Sequence, residues 1–343
     1  MQKKAKPLVI SSPEPRSLDL IFTPEKKALL FDNYSVLEVE EDEIAKLDTK
    51  TLASTRYILG QPPLSLQTLE VMSSLKCIFN VESNLLNNMP YDYLFQQGIY
   101  VLTTGAVFAT PVAELGLAMA LNLARNVVEA DAAFNAGSEI WGYASNQSAC
   151  LLTGSNIGII GFGDLGHALA KLLVGFQAHV RVFDPWLPES MLLEQGVTPA
   201  SLDQVLTTSD TLFVVASVTS ENKHFLDKHA FAKMKKGCAF ILLSRAEVVN
   251  FDDLLSSVSS GHLLAASDVF PEEPLSPDHP VRNAKGFIRS AHRAGALDCA
   301  FKKMGDMVLE DMVLLDKDLP PKRCKRAERE TVALMQSKPV NIN

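Results

Sequence analysis

At 343 residues the chain is too long for one small core, and two domains are expected. Its 47% hydrophobic and 21% charged residues suit a folded globular protein and exclude an intrinsically disordered one. With 32 basic and 40 acidic residues the net charge is -8, which argues against nucleic acid or an anionic membrane as the main partner.

The first twenty residues, MQKKAKPLVISSPEPRSLDL, hold only the run LVI before Ser11, too short for the apolar region of a signal peptide. No unbroken run approaches the roughly 18 apolar residues of a membrane span. The first hundred residues read as alternating short strands and helices. YILG (57–60) ends at QPP, LQTLEVMSSL has helical spacing, KCIFNVES is a strand running into a polar loop, and IYVLTT (99–104) is a further strand. TPVAELGLAMALNLARNVVEADAAFNAG (110–137) has proline in its first turn and glycine at its end, and reads as one long core or interface helix.

From residue 156 strands and helices alternate. The strand-like runs are NIGIIG, HVRVFD, TLFVVA, CAFILLS, LLAASDVF and GFIRSA, with helical stretches such as SLDQVLTT, HAFAKMK and FDDLLSSVSSG among them. Apolar, β-branched strands joined by helices imply an α/β fold with a parallel sheet buried on both faces, the doubly wound class. Beyond residue 295, ALDCAFKKMGDMVLEDMVLLDK is helical, and the basic run KRCKR reads as solvated surface. The five cysteines (77, 150, 238, 299 and 324) form no CxxC pair. They predict reduced thiols in the cytoplasm rather than a disulfide frame, and no metal site is expected.

Gly161-Phe162-Gly163-Asp164-Leu165-Gly166 follows an apolar strand and precedes an apolar helix. The first glycine permits a tight turn, the second lets the backbone approach a pyrophosphate, and the third lets helix pack on strand. The helix N-terminus then faces the phosphate charge. Asp184, 18 residues past Gly166, ends the next strand. A carboxylate there hydrogen-bonds the adenosine ribose and repels the extra phosphate of NADP, and no Arg or Lys follows in PWLPES. The expected cofactor is NAD.

His292 lies between the short apolar run FIRSA and a glycine-containing turn. Imidazole is the side chain whose unperturbed titration falls near neutral pH, so His292 is a candidate proton donor; alone it reads equally as a loop histidine.

In these motifs the chain resembles the D-isomer-specific 2-hydroxyacid dehydrogenases, the group of D-lactate, glyoxylate/hydroxypyruvate and phosphoglycerate dehydrogenases. VAE (112–114), GFGDLG (161–166), FDP (183–185), SRAEVVN (244–250), DVFPEEP (268–274) and AHRAG (291–295) occur in the family's order. By that resemblance the substrate-binding arginine is Arg245, the glutamate Glu273 and the catalytic histidine His292. The residue types suit reduction of a 2-oxo acid. A guanidinium grips a carboxylate with two bonds, an imidazolium supplies the proton, and a neighbouring carboxylate holds that imidazole charged and oriented.

The resemblance also implies cofactor neighbours. Asp164 and Leu165 lie under the pyrophosphate, Ala216 and Ser217 beside the adenine, with Asn222 shortly after. Leu243 and Ser244 precede the arginine, Asp268 faces the nicotinamide amide, and Gly295 closes the site. It implies a Rossmann NAD domain (105–296) inserted into a flavodoxin-like substrate domain built from 1–104 and 297–343. A homodimer is expected through the apolar stripe Val112, Leu115, Leu117, Met119, Leu121 and Leu123.

The chain departs from the family at Ala246, where glycine is usual, at Asn250, where aspartate is usual, and at Ser217, where proline is usual. In the substrate loop NVESNLLNN, Glu82 brings negative charge, and Ser83 and Asn84 stand in place of glycine. These changes bear on which small 2-oxo or 2-hydroxy acid binds. A catalytically idle NAD-sensing protein on the same fold is the rival reading, and the three retained polar residues argue against it. Formate oxidation replaces the family's glutamate by glutamine, so Glu273 argues against that chemistry.

Overall fold

The computed structural model describes residues 6–82 and 85–334, so Ser83 and Asn84 lie outside the described residues. The chain divides into two compact units, Met1–Phe108 with Ala296–Asn343, and Ala109–Gly295. The sequence reading places the joins at 104/105 and 296/297.

In the first unit, β1 (Leu8–Ser11), β2 (Ser35–Glu38), β3 (Thr55–Leu59), β4 (Cys77–Asn80) and β5 (Tyr100–Thr103) are laid down in turn. The second unit supplies β6 (Asn156–Ile160), β7 (His179–Phe183), β8 (Thr198–Pro199), β9 (Thr211–Val214), β10 (Ala239–Leu242), β11 (Leu264–Ser267) and β12 (Phe287–Arg289). The chain then returns to the first unit with β13 (Lys325–Arg326).

The first sheet runs β13-β5-β4-β3-β1-β2, parallel except for β13. Its parallel part has the flavodoxin-like order 2-1-3-4-5. Alternation along the strands divides the core. Tyr57, Leu59, Cys77 and Phe79 face the helix Asp298–Leu315, while Ile58 and Ile78 face Leu69, Met72 and Leu94. Gly305 lets that helix approach closely, because a Cβ there would lie 2.5 Å from the Ile21 carbonyl oxygen. The buried Asp311 carboxylate accepts backbone N–H groups from Lys322, Arg323 and Cys324 and so turns the chain into β13. Thus part of KRCKR, read as solvated surface, is an edge strand whose side chains remain exposed.

The second sheet, β12-β11-β10-β9-β6-β7-β8, is parallel throughout. Numbered within its own unit this is the Rossmann order 3-2-1-4-5-6 with one more strand, and its switch point falls between β6 and β9. Strands β9 and β10 are buried along their full length, as a sheet covered on both faces requires.

The single helix expected over 110–137 is two helices, Ala109–Arg125 and Val127–Asn135. Asn126 between them is left-handed, with φ 53°, a conformation its short polar side chain tolerates. The stretch Gly105–Arg125 is long and apolar enough to cross a membrane by length and composition, a feature that counting unbroken apolar runs overlooks. In the fold, Val112, Met119 and Leu123 are buried together with Ala113, Gly116 and Ala120, so half of the expected dimer stripe is core. The next helix buries no residue.

Candidate active site

At the switch point Gly161 is left-handed, with φ +90°. A Cβ there would lie 2.6 Å from Ala216 Cα and 2.7 Å from its nitrogen, so Ala216, at the end of the neighbouring strand, sets the tightness of the turn. Gly166 packs as closely, since a Cβ on it would meet the Gly161 carbonyl oxygen at 2.7 Å. Gly163 is different: nothing lies within 4 Å of the position its Cβ would take. It is the N-cap of the helix Asp164–Leu173, and having no side chain it satisfies none of the first-turn N–H groups. Leu165 and Gly166 lie in that first turn beside Asp164. Open space in front of uncapped N–H groups is the shape a dinucleotide's pyrophosphate needs.

Asp184 ends the adjacent strand. Its carboxylate accepts the Phe162 N–H at 2.7 Å and the Trp186 N–H at 2.9 Å. It therefore ties the glycine turn to the strand end where a ribose would sit, and each oxygen keeps a lone pair for a further donor. Ser217 is exposed beyond Ala216. Asn222 holds this loop from within: its Nδ2 donates to the Ser217 carbonyl at 2.8 Å and its Oδ1 accepts the Thr219 N–H at 2.7 Å. Both ends of the amide close the loop, a role that needs no ligand.

Arg245 follows β10, after Leu243 and Ser244, both buried. The Ser244 hydroxyl is buried with no hydrogen-bond partner, and the Ser290 hydroxyl likewise. Unsatisfied buried hydroxyls at two strand ends fit a site that takes a polar ligand. Arg245 Nη1 donates to the Ser244 carbonyl at 2.8 Å. The segment after it is braced by backbone bonds from His224 to Glu247 and from Leu226 to Val248. Ala246 is 3% exposed, and Asn250 caps the helix Phe251–Ser259 by accepting the Asp253 N–H. These two departures from the family pattern thus pack and cap.

Glu273 and His292 meet directly, Nδ1 to Oε2 at 2.6 Å, each side chain about one-third exposed. A carboxylate only accepts, so Nδ1 carries the hydrogen and Nε2 is the nitrogen free to exchange a proton. The other Glu273 oxygen accepts the Phe270 N–H at 2.8 Å. Burial pushes the Glu273 pKa up, but the His292 hydrogen bond, the Phe270 N–H and the charges of His292 and Arg245 outweigh it. The carboxyl is held below its ordinary value. Arg245, Glu273 and His292, spread over 48 positions of sequence, act on one another in one unit (292 − 245 = 47 intervals).

Asp268, 2% exposed, accepts the backbone N–H groups of Arg293 and Ala294 at its carboxylate. Sequence reading missed this role, because its only signal is the pairing of residues 26 apart. Gly295, half-buried, ends the unit. In the first unit Glu82 is paired with Arg16, Oε1 to Nε at 2.8 Å, with side chains 16% and 11% exposed. Arg16 also lies 4.5 Å over the Phe301 ring. The loop's negative charge is therefore paired within its own unit. No signal near Glu82 in sequence points to Arg16, 66 residues away. Among the described residues no group of His, Cys, Asp and Glu could hold a metal ion.

The chain is similar to known proteins over most of its length. Residues 117–294 match the family described as "D-isomer specific 2-hydroxyacid dehydrogenase, NAD binding domain". A solved phosphoglycerate oxidoreductase from Rhizobium etli is 64% identical, with a TM-score of 0.91, over 95% of this chain and 100% of that one. A glyoxylate reductase of Thermofilum pendens is 30% identical over 66% of this chain and 68% of its own length. A D-3-phosphoglycerate dehydrogenase of Mycobacterium leprae is 30% identical over 67% of this chain but 43% of the relative.

Proposed function

Because the chain belongs to the D-isomer specific 2-hydroxyacid dehydrogenase family, an NAD-binding oxidoreductase family acting on 2-oxo and 2-hydroxy acids, we propose that Arg245, Glu273 and His292 carry its reaction. The observation that carries this reading is the 2.6 Å His292–Glu273 contact, with the Arg245 charge acting on the same carboxylate. Arg245 binds the substrate carboxylate and carbonyl oxygen as a two-pronged donor. His292 gives a proton from Nε2 to the carbonyl oxygen during reduction and takes it back during oxidation. Glu273 fixes the tautomer and supports the charged ring. When bound, the nicotinamide supplies or accepts the hydride.

Gly161, Gly163, Asp164, Leu165 and Gly166 are proposed to hold the pyrophosphate, Asp184 the ribose, and Ala216, Ser217 and Asn222 the adenine side. Leu243, Ser244, Asp268 and Gly295 would border the nicotinamide. The Asp184 carboxylate favours NAD over NADP by charge. The name of the 64% identical Rhizobium etli protein makes phosphoglycerate and its 2-oxo counterpart the first substrate pair to test, and glyoxylate the next.

A screen of 2-oxo acids with NADH, followed at the nicotinamide absorbance, tests the activity. His292→Ala is expected to lower turnover on the accepted acid by about 10²–10⁴-fold while leaving NADH affinity within about twofold. Unchanged turnover would return His292 to an ordinary loop residue.

Two further readings complete the proposal. A homodimer is supported by the exposed apolar residues Val127, Val128, Phe134, Ile140, Trp141, Tyr143 and Leu151, which are 52–84% exposed. Light scattering on the wild type and on Ile140→Ser/Trp141→Ser tests it, and a 37.5 kDa wild-type particle at micromolar concentration would refute it. A cytoplasmic setting suits the five free cysteines, two of them exposed.

A further inference from the structure

We propose that Asp268 is the positioning residue of the proton donor, holding His292 in its working conformation through three successive backbone N–H groups. The inference rests on the reading of His292 as acid and base, and concerns how the fold places that ring.

His292 is left-handed, with φ 46°, a conformation that a residue with a side chain rarely adopts unless neighbours impose it. Asp268 imposes it. The His292 N–H donates to the Asp268 carbonyl oxygen at 2.7 Å. The next N–H, of Arg293, donates to Oδ1 at 3.1 Å, and the next, of Ala294, to Oδ2 at 3.0 Å. Consecutive N–H groups converging on one anion form the kind of concavity that normally binds a phosphate or carboxylate ligand. Here the occupant belongs to the chain.

Asp268 is itself anchored. It follows β11 directly, is 2% exposed, and its N–H donates to the Leu242 carbonyl of β10 at 3.1 Å. Ser290, two residues before the histidine, donates its N–H to Ser267 at 3.0 Å. The histidine turn is thus bolted to the two strands that precede it in the sheet, and its position is inherited by the ring that meets Glu273 at 2.6 Å.

The carboxylate is chemically required. Both oxygens accept, so asparagine, of equal size, would set an NH2 donor against a backbone N–H donor at one of the two positions. The turn would open there, and His292 would leave its alignment with Glu273.

The test compares Asp268→Asn with wild type in three measurements. Proton NMR of the apoprotein should show the short His292 Nδ1–H···Glu273 hydrogen bond as a signal downfield of the amide envelope, assigned by its loss in Glu273→Gln. In Asp268→Asn that signal should vanish or broaden. Turnover should fall about 10²-fold, the loss typical of a displaced catalytic group, and at least about tenfold more than NADH affinity, which also changes because Asp268 borders the nicotinamide. Asp210→Asn is the control for simple loss of stability: Asp210 pairs with Lys235 in the same unit, so its variant should lower the melting temperature and keep the signal.

Retention of both signal and turnover in Asp268→Asn would overturn the proposal. So would an NADH affinity that falls by the same factor as turnover, which gives Asp268 to the cofactor alone. If Asp268→Asn does not fold, amide hydrogen exchange in the wild type decides: protection of 292, 293 and 294 as a group supports it, and exchange at free-loop rates overturns it. If wild type reduces no 2-oxo acid, the functional reading fails, and the apoprotein signal and its response to Asp268→Asn still judge the positioning role.

Discussion

The glycine turn at 161–166 and the histidine turn at 292–294 both follow strands of the seven-stranded sheet, and they keep their shapes by opposite means. At Gly161 the turn exists because a side chain is missing: φ is +90° and the space for a Cβ is filled by the Ala216 backbone. At His292 a left-handed residue keeps its side chain and is held by the backbone carbonyl of buried Asp268, 24 positions earlier (292 − 268 = 24), whose carboxylate takes the next two N–H groups. Steric absence is a local property. Hydrogen-bonded restraint needs a partner that only folding delivers. In the proposed function the two turns divide the chemistry the same way, one receiving a ligand's charge and the other aiming a proton.

The strongest way to break this comparison is to restore the missing side chain. Gly161→Ala introduces a backbone overlap and a strained φ, worth about 1–3 kcal/mol before the overlap is relieved. NADH affinity is expected to fall at least about 100-fold, with a lower melting temperature. Gly163→Ala, whose Cβ meets nothing within 4 Å, should keep the wild-type melting temperature and lose affinity only. Equal effects of the two on stability would show that the turn is not held by sterics.

An intermediate effect is expected on the histidine side. Glu273→Gln removes the ion pair and should lower turnover about tenfold, less than loss of the proton donor itself. The Glu273 carboxyl is depressed in the folded protein, so its pairing stabilises the fold above its unfolded pKa and is lost as pH falls through the lower folded value. Wild-type reduction should therefore persist to pH values below the ordinary glutamate range, and this acid limb should disappear in Glu273→Gln. Because the pair is about one-third exposed, its share of folding stability is under ~1 kcal/mol. Melting temperatures of the two proteins should converge in acid. An acid limb unchanged in Glu273→Gln would remove Glu273 from the proton donor's support.

The smallest expected effect sharpens the glycine side. Asp184→Ala should narrow the preference for NADH over NADPH by about tenfold, a difference of about 1.4 kcal/mol. It should also lower stability by about 1 kcal/mol, because the Phe162 N–H loses its partner. Equal affinity of wild type for the two cofactors, measured by nicotinamide fluorescence, would show that the carboxylate does not face the ribose.

Much of this was legible beforehand for a physical reason. The six strands of the second unit that stand out by eye are short, apolar and β-branched, and β6, β7, β9, β10, β11 and β12 all occur where those runs lie. Strands β1, β2, β8 and β13 were harder, since the first is a four-residue stretch and the others are partly or wholly exposed edges that carry no apolar run. The helix break at Asn126 escaped because the apolar spacing continues across it, while the second helix turns its apolar residues outward. The Arg16–Glu82 ion pair is not legible in sequence, because its partners are 66 residues apart.

By itself the sequence determined what contiguous residues can encode: a parallel α/β architecture, a glycine turn before a helix, a carboxylate at the next strand end, and the residue types for acid–base chemistry. Only the tertiary structure decided how those types act. It joined Glu273 to His292, turned Asp268 from a strand-end acid into the clamp of the histidine turn, closed Asn222 on its own loop, and neutralised Glu82 with Arg16. Periodicity and glycine sterics act between neighbours along the chain and survive in the one-dimensional text. Carboxylate pairings act across space, and which of many acids meets which donor is settled by packing alone.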